Sequence, residues 1–331
     1  MRVRRRWLLS AFGLALVVGL LTVARPAVIA ERLAGVTFLS LVRAFGWAAF
    51  IAAARALRLA LLVGRPLGPL KAFGVVAATQ AGISVLPFRL GELVLLPLLH
   101  RAGVLGTVRG LSFLVVLRAM DIAALVTWAV VLAIATGVRL GTGAAVLAAL
   151  LSAGFLFVLL GLRLVSRLAR SWRCRTDWRR RSLGQVLMVR RELRLRTGTP
   201  LQLALLSGLS LAVWAGIWGQ TLALVRGMGI EWPATAVLGG VIGSAVSSAL
   251  PVTTIGSFGT LEAGWALALA AAGVGTSEAL AVGFATHLWS VVFTIMLAIL
   301  GTPALLRRGL RISRANDPEK AARAITGPSA R

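Results

Sequence analysis

Apolar residues dominate long stretches of this chain, and polar positions fall between those stretches rather than alternating with them. A helix needs about 20 apolar residues to cross the ~30 Å hydrocarbon layer of a bilayer. Six runs read as complete crossings: Trp7–Val23, Phe38–Val63, Leu111–Ala135, Gly143–Leu164, Leu201–Val225 and Ala279–Gly301. Two further apolar regions are interrupted. Ala72–Leu86 leads into Leu86–Glu92 (LPFRLGE) and then Leu93–Leu105, while Ala234–Leu250 leads into Leu250–Glu262 (LPVTTIGSFGTLE) and then Leu261–Ala272. Both breaks begin Leu-Pro and end on a glutamate that opens the next run. Pro87 and Pro251 each remove a backbone donor, and Gly91, Gly256 and Gly259 tolerate backbone angles closed to other residues, so the helix is expected to stop at both places.

The arms beside the breaks hold 12–17 residues. At ~1.5 Å per residue they reach about 18–26 Å, short of a full crossing. The pattern predicts an all-α, polytopic integral membrane protein with about six full spans and two interrupted or re-entrant hairpins. Short, Gly/Pro-interrupted segments in corresponding positions point to an inverted repeat around a central site.

Charge sets the orientation. Arg2, Arg4, Arg5 and Arg6 precede the first run, and 163–196 holds 12 arginines against Asp177 and Glu192. The stretch 307–331 holds seven Lys/Arg against Asp317 and Glu319. Basic loops stay on the cytoplasmic side. Keeping the 163–200 loop and both termini inside requires each interrupted region to return to the face it entered from, one from each side. Residues 1–306 then form a transmembrane domain with a basic cytoplasmic loop. Residues 307–331 form a basic cytoplasmic tail, expected to be partly disordered. The location implied is a cell inner membrane. Trp7–Val23 reads as an uncleaved anchor in preference to a signal peptide, because Val28-Ile29-Ala30, the cleavage-like site, lies well beyond its end.

Composition agrees, at 58% hydrophobic residues and a mean hydropathy of +0.90. A net charge of +26 would suggest nucleic acid in a soluble protein. Here the excess lies mainly outside the apolar runs and no nucleic-acid motif accompanies it, so anionic lipid headgroups are the expected partner. One cysteine, Cys174, and two histidines give no metal constellation, and no cofactor is expected. No GxSxG, HExxH or Walker lysine motif is present.

Only ten Asp/Glu occur. Arg89 with Glu92, and Arg118 with Asp121, are each three apart and can share a helical turn. They read either as neutralised structural pairs or as a polar site where arginines attract an anionic headgroup. Glu92, Asp121 or Glu262 would then bind a cationic group or relay protons. Thr253, Thr254 and Ser257 add hydroxyls near flexible glycines. Arg55 and Arg58, on one face of the second span, read as snorkelling to headgroups. His287 reads as a hydrogen-bonded packing histidine, and His100 with Arg101 as the return of the first hairpin to the interface.

LPFRLGE, the RxxD of Arg118 and Asp121, and the LP…GxxGxxE element at Leu250–Glu262 together resemble the lysylphosphatidylglycerol synthase transmembrane region, the flippase-like (UPF0104) membrane family. Their order and spacing cover roughly residues 40–301. The resemblance implies lipid or lipid-linked glycan handling, with Arg89 and Arg118 on the headgroup; no soluble aminoacyl-transfer half is expected, so lysyl transfer is not. Three functions are expected candidates: translocation of an anionic or amphipathic lipid between leaflets, a non-catalytic membrane partner of a lipid or glycan biosynthesis enzyme, and an integral-membrane lipid or glycan transferase.

Overall fold

The computed structural model describes residues 17–64, 67–86, 90–101, 107–137, 199–248 and 255–306, and among them all regular structure is helical. Residues 17–24 are helical. After them come α1 (Pro26–Ala34), α2 (Phe38–Val63), α3 (Pro69–Val85), α4 (Leu90–Leu93), α5 (Leu95–Arg101) and α6 (Thr107–Ala135). The second half holds α7 (Pro200–Gly227), α8 (Ala234–Ser247), a 3₁₀ turn at Ile255–Ser257, α9 (Thr260–Ala270) and α10 (Thr276–Leu306).

The helix starts follow local chemistry. Pro26, Pro69 and Pro200 open α1, α3 and α7, where the missing N–H is no loss. The Thr199 hydroxyl caps α7 by accepting the Gln202 N–H at 3.3 Å.

Four helices contain stretches long and apolar enough to cross a membrane: Phe38–Val63, Val116–Ala135, Pro200–Gly227 and Thr276–Leu305. These answer to four of the six expected spans. Of the other two, Trp7–Val23 is described only from residue 17, and Gly143–Leu164 lies outside the described residues. So do Pro87, Arg89, Pro251, Thr253, Thr254, the tail 307–331 and nearly all of the 163–200 loop. The pattern missed α1, a nine-residue helix that carries Val28–Ala30. It docks on the start of α10, where Ser277 donates to the Val23 carbonyl at 2.9 Å and Arg32 pairs with Glu278 at 3.6 Å.

Helices α2 and α7 run antiparallel in close contact. Going along α2, Ser40 meets Gly227, Trp47 meets Gly219, Ile51 meets Gly216 and Arg58 meets Ser210. Bulky apolar residues such as Phe38, Ile134, Leu201 and Leu267 point outward, as lipid-facing positions should.

The two interrupted hairpins enter this bundle from opposite ends. At its base α3 touches the C-terminal part of α10, where a Cβ on Gly74 would come 2.7 Å from the Gly301 carbonyl. Helix α9 lies near the N-terminal part, with the Trp265 indole donating to the Ala279 carbonyl at 2.9 Å. The tips meet between them: a Cβ on Gly256 would sit 2.5 Å from the Ser84 carbonyl. With 17, 14 and 11 residues, α3, α8 and α9 reach only about 26, 21 and 17 Å. The return arm of the first hairpin is split at Val94 into α4 and α5.

Candidate functional site

The meeting of the two tips encloses polar side chains in two adjoining cavities. The first, about 240 Å³, is lined by Arg55 and Arg58 of α2, Thr79 and Gln80 of α3, Glu92 of α4, Arg118 and Asp121 of α6, and Ser248 and Ser257 beside the second break. These side chains arrive from several apolar helices, which together hold charge where the bilayer would otherwise exclude it.

Of the pairs expected from spacing, Arg118 with Asp121 is present, Arg89 with Glu92 lies outside the described residues, and the fold adds closer partners from other helices. Arg58 is 3% exposed. It donates to the Asp121 carboxylate and, at 2.9 Å, to the Ser210 hydroxyl. It therefore does not snorkel; its guanidinium is held inside by a carboxylate 63 positions away. Arg118 grips Glu92 with two nitrogens, at 2.5 and 3.2 Å, and stands 3.9 Å from its near neighbour Asp121. The cross-helix pair wins because the break brings Glu92 to the flank of α6. Trp214 donates to the Asp121 carbonyl at 3.1 Å and ties α7 to the same place.

Arg55 also faces this cavity rather than the headgroups. Among the described residues no hydrogen bond or salt bridge reaches it. Three arginines and two carboxylates line the cavity, so one positive charge stays uncompensated among the described lining residues.

The second cavity, about 270 Å³, contains Glu262 and His287 with Thr221, Ser244, Ser248, Thr286, Ser290 and two tryptophans. Ser248 and Leu261 line both cavities and so form their shared wall. Glu262, expected beside the arginines, lies in this second space. It is 1% exposed. One of its oxygens accepts the Gly259 N–H at 2.6 Å, and the other lies 2.6 Å from His287 Nδ1. Phe258 stacks on the imidazole, with ring centroids 4.2 Å apart.

The expected break residues have visible work. Gly91 is pressed so close to α3 that a Cβ would fall 2.2 Å from Gly82. Gly256 and Gly259 take φ of 61° and 85°, values that strain side chains other than glycine. Ser257 takes φ 62°. The residues underrated from sequence are Arg55, Arg58 and His287. Their one signal was polarity inside an apolar run; the partners of Arg58 and His287 lie on other helices.

The family described as lysylphosphatidylglycerol synthase TM region matches residues 10–298. No curated protein and no solved structure matches the chain at a significant level.

Proposed function

This chain belongs to the lysylphosphatidylglycerol synthase TM region family, and on that premise we propose that it carries an anionic lipid headgroup between leaflets through the arginine-lined cavity. The observation that carries the reading is the cationic excess where two opposed hairpin tips meet, with Arg55 held by no hydrogen bond or salt bridge from the described residues. A phosphate entering there gains charge-assisted hydrogen bonds. It leaves the Arg58–Asp121 and Arg118–Glu92 pairs as a pre-formed rim. Arg89, outside the described residues, joins the proposed contacts because it lies in the same break. Orientation with both termini in the cytoplasm of an inner membrane follows from the 12 arginines in 163–196.

The test is leaflet access. Liposomes containing the protein and fluorescent phosphatidylglycerol are quenched chemically from outside. Protein-dependent quenching beyond the outer half supports translocation. Arg55→Ala should slow it roughly tenfold or more, the scale of one lost charged hydrogen bond. Wild-type protein that leaves the inner half unquenched removes phosphatidylglycerol as cargo. Product formation without leaflet movement would favour a transferase.

A further inference from the structure

The second cavity plays no part in holding an anion. All five of its hydroxyls donate within the protein: Ser244 to Leu261, Ser248 to Ala245, Thr221 to Ile217, Thr286 to Gly283 and Ser290 to Thr286. With their protons engaged, Thr221, Ser244 and Thr286 can offer the space only lone pairs, and Ser290 also accepts from Gln220 at 3.2 Å. The Glu262 carboxylate is buried at the same wall, and among the described lining residues His287 is the one other titratable group. The titratable groups facing the pair from packed elements are therefore Glu262 on α9 and His287 on α10, with none on α7 or α8. Acceptors and a desolvated carboxylate favour a positive charge.

We propose that Glu262 and His287 form the proton site that couples this protein to a transmembrane pH difference. This rests on the translocation reading and deepens it. A metal cation fits less well, because both Glu262 oxygens are already taken by the Gly259 N–H and His287, and no cluster of three metal-ligating side chains exists among the described residues. With Nδ1–H donated to Glu262, the imidazole takes a proton from hydronium at Nε2. A new N–H bond forms, water is released, and imidazolium stands beside carboxylate. The cavity, about 270 Å³, has room for several water molecules at ~30 Å³ each to carry that proton. Loading is felt at the arginine cavity through a short chain of contacts. Phe258 stacks on the ring that becomes charged, Gly259 is held by the same carboxylate, and Ser257 between the break and the cavity lines the anion site.

Two readouts test this. In liposomes with fluorescent phosphatidylglycerol, a one-unit pH gradient coupled one proton per lipid should drive about a tenfold difference between leaflets. In His287→Gln that difference should collapse to none, at whatever rate the variant runs. An equal distribution in the wild type under the gradient, with leaflet exchange still present, overturns the proton site and leaves the translocation reading standing. A response to a sodium gradient alone also overturns it. The second readout needs no transport: ¹⁵N-histidine NMR of His100→Gln protein leaves His287 as the one histidine. Conversion of its signal from neutral to protonated between pH 8 and pH 5 supports the proposal, and an unchanged signal refutes it.

Discussion

Arg55 and Arg58 stand one helical turn apart on α2 and do different work. Arg58 is buried and satisfies Asp121, so it belongs to the framework. Arg55 has no such partner among the described residues, so its charge is available to a ligand. Removing one member of a buried pair strands the other, at a cost of about 3–5 kcal/mol. Arg58→Ala should therefore lower detergent-solution unfolding stability by that amount, read as a large drop in melting temperature. Arg55→Ala should cost about 1 kcal/mol or less while losing anion binding. Equal destabilisation by the two would contradict the division of roles. Both arginines were visible as charges in an apolar run. Their difference was not, because it depends on Asp121, 63 positions from Arg58.

The hairpins work as elements because glycine lets their arms touch. A Cβ on Gly243 would lie 2.3 Å from the Gly264 carbonyl, and one on Gly264 would lie 2.2 Å from the Ser247 hydroxyl. Small residues at four-residue spacing permit such backbone contact within a membrane. One turn earlier on α8, a Cβ on Gly239 would meet Leu132 at an ordinary 3.7 Å. Gly264→Ala should then destabilise by about 1–3 kcal/mol through overpacking, whereas Gly239→Ala should be neutral or gain up to about 1 kcal/mol from helix propensity. Thermal unfolding of the two variants checks the contrast. Tight arms fix the tips, and the tips place Glu92, Ser257 and Glu262.

Across the whole molecule, the opposed hairpins place the described parts of their breaks, 90–92 and 255–262, inside the bundle, away from both ends of α10. A cysteine at Ser257 in a Cys174→Ser background should react poorly with bulky impermeant reagents applied from either face. One at Thr276, exposed at the start of α10, should react readily from a single face. Ready labelling of Ser257→Cys from one bulk face would place the break at the surface and dissolve the shared site. The two cavities share Ser248 and Leu261, so a change in one is transmitted across a single layer of side chains.

Hydrophobic runs, breaks and arginine-rich loops are local properties, and by themselves they determined the membrane class, four of the spans now seen, both interrupted hairpins and the family. Run length and Pro/Gly chemistry suffice for that, since each is settled within a few neighbouring residues. Pairing was a different matter. Spacing suggested Arg118 with Asp121, which do stand 3.9 Å apart, but the tertiary structure added Glu92 as the closer partner of Arg118 and Arg58 as the closer partner of Asp121. It also moved Glu262 into a second cavity with His287. In a medium that offers no water, a buried charge takes whichever partner packing brings closest, and only the folded bundle specifies which partner that is.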